Sequence, residues 1–369
     1  MNSYQKTWFI QTADSVLRQT TVRTDRWYYS YGLVFKGLEA VYRLTHDARY
    51  WTFIKRYYDA FIGEDGGIHG VDPMDHNLDN INNGKMLFPL YRATDDVRYQ
   101  SAARLLRNQL CGQPRTDEGA FWHKQIYPYQ VWLDGLYMAG PFYAEYLHMF
   151  EAAPDFSDII RQFSVAYRHT RDEKTGLLYH AWDEKHAQPW CDPQTGHSLC
   201  FWGRSMGWFV MALVDVLDYL PADNPGRPEL IGMLRETMEA LERVRDPESG
   251  VFYQILDQGS RQGNYRESSA SCMICYAMAK GARMGYLAPE WGEKAAGLFQ
   301  CIVREFVAVA ENGLINIHRI CTGAGLGGWN KRSGTFEYYI SEPIVTNHPH
   351  GIGSFILAGT EVEALRSRP

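Results

Sequence analysis

The chain has 369 residues, 45% of them hydrophobic and 14% aromatic, with a formal net charge of −6 and a sequence pI near 6.1. A chain this long buries a large core, and so mild an acidic balance gives no electrostatic reason to expect nucleic acid or an anionic membrane as partner. Seven cysteines, an odd number, argue against a full disulfide framework and fit a reducing compartment. The 24 tyrosines and 11 tryptophans either fill a wide core or supply rings on which flat sugar faces stack.

The opening stretch, MNSYQKTWFIQTADSVLRQT, lacks the basic region and apolar run of a secretory signal. No apolar run of about 18 residues follows anywhere, so a cytoplasmic chain with no membrane partner is expected. Leu33, Leu38, Val41 and Tyr42 recur at helical spacing. After a turn, EDGGIHG, the segment HNLDNINNGKMLFPLY (His76 to Tyr91) places Asp79 just before the helical run Met86, Leu87, Leu90 and Tyr91. Asp79 is read either as a helix cap or as a cleft carboxylate.

The turn DEGAFWH then leads into the densest segment, FWHKQIYPYQVWLDGLYMAGPFYAEY (Phe121 to Tyr146). Pro128 marks the approach to a helix and Pro141 a later break or kink. Between them Asp134 sits among Trp132, Leu133, Leu136, Tyr137 and Met138. An aspartate in such company loses solvation of its charged form, and a carboxylic acid that keeps its proton can act as a general acid. The alternative is a helix cap or a structural aspartate bonded to backbone amides.

KTGLLYH places His180 at the tip of another turn, as a structural or a functional histidine. In FWGRSMGWFVMALVDVL (Phe201 to Leu217), Arg204 and Trp208 are four apart and share a helical face. They offer a planar cation for a carboxylate and a ring for stacking; alternatively Arg204 ties a loop to a helix end. Cys272 and Cys275 fall in an apolar helical run with neither a second pair nor a well-spaced histidine, so they read as core. GAGLGG (Gly323 to Gly328) resembles a phosphate loop but lacks the surrounding βαβ unit and a following Lys-Ser/Thr; it reads as a flexible loop. No H-E-x-x-H, no metal-ligand spacing and no G-x-S-x-G is present, so neither a metal nor a cofactor is expected and a serine hydrolase is disfavoured.

The turns themselves repeat. EDGGIHG, DEGAFWH, KTGLLYH, ESGVFYQ and ENGLINIH share an acidic or polar start, a glycine and then apolar or aromatic residues. Their glycines are spaced roughly 50 to 75 residues apart, room for two helices and their connections. Few segments alternate with period two. The expectation is a mainly α chain, one domain over residues 1–369, built as an (α/α)6 barrel with short extended turns lining its open end.

The blocks NLDNINNGKMLF, HKQIYPYQVWLDGLYMAGPF, GLLYHAWD, WGRSMGWFVMALVDVL and SEPIVTNHPHGIGSFILAGTEV, in that order, resemble glycoside hydrolase family 105, the unsaturated rhamnogalacturonyl hydrolases on (α/α)6 barrels. The likeness runs from about Trp27 to Glu361. It implies an unsaturated oligosaccharide as substrate, left by a pectin-cleaving lyase, and Asp134 as the catalytic acid and base. It further implies His123, Lys124, His180, Arg204 and Trp208 as cleft residues, with Asp79 as an assisting carboxylate. Arg204 or Lys124 would hold the uronate, His180 would orient water or Asp134, and Trp132 or Trp208 would stack on sugars. Three rivals stay open. One is an unsaturated glucuronyl hydrolase of the related family 88. Another is a sugar 2-epimerase using His180 with His348 or His350. The third is a non-catalytic oligosaccharide-binding protein.

Overall fold

The computed structural model describes residues 7–19 and 25–366; the first six residues of the stretch read for a leader lie outside the described residues. Helix α1 (Trp8–Arg18) is followed by α2 (Tyr29–Thr45) and α3 (Ala48–Phe61), and a 3-10 stretch, Leu78–Met86, runs into α4 (Leu87–Thr94). Then come α5 (Val97–Gly112), α6 (Leu133–Phe150), α7 (Ser157–Thr170), α8 (Gly203–Val216), α9 (Arg227–Arg243), α10 (Ser268–Arg283), α11 (Glu290–Phe306), the short α12 (Phe336–Ser341) and α13 (Pro349–Arg366).

Two kinds of helix alternate along the chain. The inner kind is buried nearly all round: every residue of α10 from Ser268 to Gly281 is buried, as is α8 from Gly203 to Val214. The outer kind has one apolar face. In α3 the buried residues are Tyr50, Ile54, Tyr57, Tyr58 and Phe61, the spacing of a single helical stripe. The inner elements α2, Leu78–Thr94, α6, α8, α10 and α13 each pack on the next, and α13 packs back on α2. Outside them lie α3, α5, α7, α9 and α11, and α1 covers α13. The expected (α/α)6 ring is the observed architecture.

The ring closes at a glycine. A Cβ on Gly353 of α13 would stand 2.7 Å from Leu33 C and Val34 N of α2, a separation no side chain tolerates. The first and last inner helices therefore meet backbone to backbone.

The repeated turns are the connections from outer to inner helices. Gly66, Gly119, Gly176, Gly250 and Gly313 all adopt left-handed φ, between +75° and +88°, a region open to glycine without strain. Short extended segments lie at these turns and in the loops beside them. Strand β1 (Gln130–Trp132) pairs antiparallel with β2 (Ala181–Asp183), Trp132 opposite Ala181. Strand β3 (Val307–Val309) pairs with β4 (Ile315–Ile317), and β5 (Ile320–Cys321) with β6 (Ile344–Val345). Because each turn delivers the chain to the start of an inner helix, the open end is the end where the inner helices begin. Among the described residues no helix is long and apolar enough to cross a membrane.

Two expectations change. Pro141 neither ends nor interrupts α6, which runs on to Phe150. Proline lacks an N–H, so it leaves the carbonyl four residues back, that of Tyr137, without its helical donor. Lys85, 3% exposed, supplies the replacement: its Nζ donates to Tyr137 O at 3.3 Å. Burial holds that amine well below the ordinary lysine value. The second change is the GAGLGG segment, which is a closed hairpin. Gly327 N donates to Arg332 O at 2.9 Å and Arg332 N to Gly327 O at 3.1 Å. The Arg332 guanidinium then bonds Gly327 O, Leu326 O and Tyr127 Oη, and Leu326 is fully buried.

The Lys85–Pro141 pairing has a measurable signature. Lys85→Met is expected to cost about 1–3 kcal/mol, the range for orphaning a buried carbonyl. In a Pro141→Ala background, where the helix regains its own N–H, the same substitution should cost clearly less. Denaturant melts of the four proteins test this, and equal costs in both backgrounds would refute the pairing.

Candidate active site

The inner elements all begin alike. The second residue of each is Ser30, Asp79, Asp134, Arg204, Ser269 or His350, so a ring of polar side chains occupies corresponding places at the open end. Above it lies a cavity of about 610 Å³ whose walls include Asp79, His123, Lys124, Trp132, Asp134, Tyr28, Tyr29 and His348.

Strand register brings His180 to Asp134. Trp132, the last residue of β1, pairs with Ala181 and also caps α6. The first helical amide, Leu133 N, donates to His180 O at 3.1 Å. The next residue, Asp134, therefore meets the His180 ring, with Nε2 3.1 Å from Oδ2. The approach lies outside hydrogen-bond geometry, and neither atom has a hydrogen-bond partner. On its other side, His180 Nδ1 lies 2.7 Å from Tyr339 Oη. Burial pushes the Tyr339 phenol well above its ordinary value, so it keeps its proton. A hydrogen bond donated by Tyr339 Oη to Nδ1 would leave the His180 proton on Nε2, facing Asp134.

Asp134 is neither a helix cap nor sealed in apolar core. Its side chain keeps 15% exposure, toward the cavity. Asp79 is also not a cap: Asn77 is, accepting from Asp79 N at 3.0 Å. Asp79 Oδ2 instead lies 2.5 Å from Lys124 Nζ, and Oδ1 lies 3.4 Å from His123 Nε2. Burial pushes the Asp79 carboxyl up, but the Lys124 ammonium with His123 outweighs it and holds the group below the usual carboxylate value. Asp79 is thus a fixed anion and Lys124 its counter-ion.

Arg204 carries a buried charge with spare donors. Its Nη1 donates to Cys321 O at 2.6 Å and to Ser269 Oγ at 3.3 Å, tying the β5 segment to the helix ends. Its Nε and Nη2 are buried without partners, and among the described residues no carboxylate is ion-paired with it. A Cβ on Gly323, a cavity residue, would come within 3.9 Å of Nη2, so the guanidinium lies just behind the cavity wall. Trp202 supports it from behind, its ring centroid 4.7 Å from Arg204 Cζ.

Trp208 does not reach the cleft. One turn further along α8 than Arg204, it is fully buried, stacked on Tyr137 at 4.7 Å and edge-on to His350. Four-residue spacing sets a shared face, but the second residue lies one turn deeper in the barrel. Trp132 does line the cavity, although its ring is already stacked on His123 (4.7 Å) and Tyr127 (5.0 Å). His180 stands on the return arm of its turn, fully buried, and not at the tip. Sequence reasoning missed Trp202, Tyr339, Tyr127 and Arg332; Trp202, inside the WGRSMGW block, and Tyr127, three residues after Lys124, lie near flagged residues, whereas Tyr339 and Arg332 do not. Cys272 and Cys275 are buried and free, as their apolar setting indicated.

The ring of inner and outer helices with a polar cleft at its open end is an (α/α)6 barrel. The sequence profile described as Glycosyl Hydrolase Family 88 matches residues 2–366, and the chain belongs to that family. A solved structure of a C. acetobutylicum ATCC 824 glycoside hydrolase from family 105 is similar at TM-score 0.95 and 47% identity, covering 97% of this chain and 99% of that one. The unsaturated rhamnogalacturonyl hydrolase YesR of Bacillus subtilis (strain 168) is 30% identical over 277 residues, 73% of this chain and 75% of that protein. The unsaturated glucuronyl hydrolase of Bacillus sp. GL1 shares the fold, with TM-score 0.67 and 15% identity over 94% of this chain and 93% of that one.

Three histidines around the cleft should make the protein acid-sensitive. Burial pushes His123 and His348 down to about 4 and His350 well below its ordinary value. In the unfolded chain each takes a proton near pH 6.5. Between about pH 6.5 and 4 the unfolded state therefore binds more protons, and stability falls as pH drops through that window. Melting temperatures measured from pH 7 to 4.5 should decline, with a shallower slope in His350→Gln; an unchanged slope in that variant would remove His350 from the account.

Proposed function

We propose that this hydrolase releases the 4,5-unsaturated uronic acid from the non-reducing end of lyase-generated rhamnogalacturonan oligosaccharides, with Asp134 as acid and base. The observation that carries the reading is the unequal condition of the cavity carboxyls. Asp79 is held as an anion by Lys124, and Glu342 engages Tyr338. Asp134 alone of the three has neither a cationic Lys or Arg partner nor a hydrogen bond, and a buried guanidinium with two spare donors lies close by. Ordinary glycosidases place two working carboxyl groups across the anomeric carbon. One working acid beside an anion anchor suits a substrate that carries a carboxylate and needs a single proton donor.

The substrate's C4=C5 bond bears the ring oxygen and the carboxylate on C5, which makes it a vinyl ether. In this reading Arg204 Nε and Nη2 take the carboxylate as a two-pronged fork, and Asp134 gives its proton to C4. The π electrons form the new C–H bond, and the positive charge at C5 is shared with the ring oxygen. Water adds at C5 and loses a proton to Asp134, while the His180 Nε2–H faces the carboxylate between the two transfers. The C5 hemiketal opens, and the resulting hemiacetal at C1 expels the remaining sugar.

The likeness to the unsaturated rhamnogalacturonyl hydrolase YesR supports rhamnogalacturonan over a sulfated glycosaminoglycan. The cations on the cavity wall point the same way: Lys124 is paired with Asp79, and Arg332 is tied to backbone carbonyls and Tyr127. Little positive charge is left for sulfates.

On the unsaturated disaccharide, ultraviolet absorbance of the double bond should disappear, and Asp134→Asn should lower the rate at least ~100-fold while folding normally. In heavy water a deuteron should enter at C4, and in ¹⁸O water the label should enter at C5. Hydrolysis of the saturated disaccharide, or label at C1, would replace this mechanism by direct displacement with Asp79 as the second carboxyl group.

A further inference from the structure

Among the described residues the three most exposed large hydrophobic side chains are Trp329 at 95%, Ile126 at 73% and Met74 at 70%. They are far apart in sequence, yet their segments are joined to one another at the open end. Asn77, three residues after Met74, forms a β-bridge with Lys124, two residues before Ile126. Tyr127, the residue after Ile126, accepts a hydrogen bond at 3.0 Å from Arg332 Nη2, and Arg332 closes the hairpin that carries Trp329. Asn77, Lys124, Tyr127, Asn330 and Arg332 all line the cavity, so each exposed apolar residue lies within three residues of its wall. The hairpin is anchored by Arg332 and the buried Leu326, which holds Trp329 out in solvent with no ring packed on it. Exposed apolar surface gathered beside a polar cavity marks a binding surface.

We propose that this rim is a second carbohydrate subsite, which binds the sugars that extend out of the cavity from the scissile linkage. The Trp329 ring takes the flat C–H face of a sugar two or three units from the unsaturated end. Ile126 and Met74 offer contact to apolar groups, among them the methyl of a 6-deoxyhexose. The inference rests on the hydrolase reading above and deepens it: the preferred substrate is an oligosaccharide longer than a disaccharide. Sugar is favoured over a second copy of the chain because the rim is continuous with the cavity through which the leaving chain must exit.

The test compares the unmodified protein with Trp329→Ala on the unsaturated disaccharide and on the tetrasaccharide from the same lyase digest. KM for the tetrasaccharide should rise about three- to tenfold, the range for losing one aromatic stacking contact, with kcat retained and the disaccharide constants unchanged. Equal effects on both substrates, or none on either, would overturn the proposal. If the unmodified protein turns over neither substrate, the hydrolase reading fails, while calorimetric titration with the tetrasaccharide still reads the subsite: weaker binding by the variant supports it and equal binding sinks it. Sedimentation velocity adds the remaining outcome, because a dimer abolished by Trp329→Ala would assign the rim to a second copy of the chain.

Discussion

The cleft depends on the contact that closes the ring. Gly353 of α13 lies against the backbone of α2 at Leu33 and Val34, so the first and last inner helices meet with nothing between them. The cavity wall needs both: Tyr28 and Tyr29 stand at the start of α2, and His348 immediately precedes α13. A side chain at 353 would push these helices apart at the seam and enlarge the ring. A core this closely packed absorbs such a shift poorly, and the starts of the inner helices would lose their alignment. That alignment is what sets Ser30, Asp79, Asp134, Arg204, Ser269 and His350 at corresponding places.

Within that ring the energetics divide in two. Where a helix loses a bond for structural reasons, the fold replaces it, as Lys85 does for Tyr137 O behind Pro141. At the cleft floor, by contrast, Asp134 Oδ2, His180 Nε2 and Arg204 Nε and Nη2 are all buried without hydrogen bonds. Each such group costs on the order of 1–3 kcal/mol. On the proposed reading this cost in the free protein becomes attraction when the substrate carboxylate arrives.

Support for the site comes from the turns. The pairing of β1 with β2 sets His180 against Asp134, and Tyr339, on α12, holds the other nitrogen of the His180 ring. The hairpin at Gly327–Arg332 is tied by Tyr127 to the wall that includes Trp132. The site is thus assembled from inner helix starts and braced by the extended segments around them.

Much of this was legible in the chain itself. The buried inner helices and the glycine turns are local features: periodicity reports a face, and a glycine followed by apolar residues reports a left-handed turn. Asp134, Asp79 and Arg204 stand out because they lie in or beside such segments, whereas His123 and Lys124 are indicated only by the likeness to glycoside hydrolase family 105. Depth along the barrel axis is not legible, so a shared helical face does not reveal that Trp208 lies one turn below the cleft. Nor were the uses of Tyr339, Arg332 and Lys85, whose partners His180, Tyr127 and Tyr137 lie far away in sequence. The sequence by itself determined which segments are helices, where they turn and which polar residues start them, because these depend on neighbours within a few positions. Only the tertiary structure decided which of those residues are paired, which are left without partners and which face the cavity, because hydrogen bonding and burial act between segments brought together only when the ring closes.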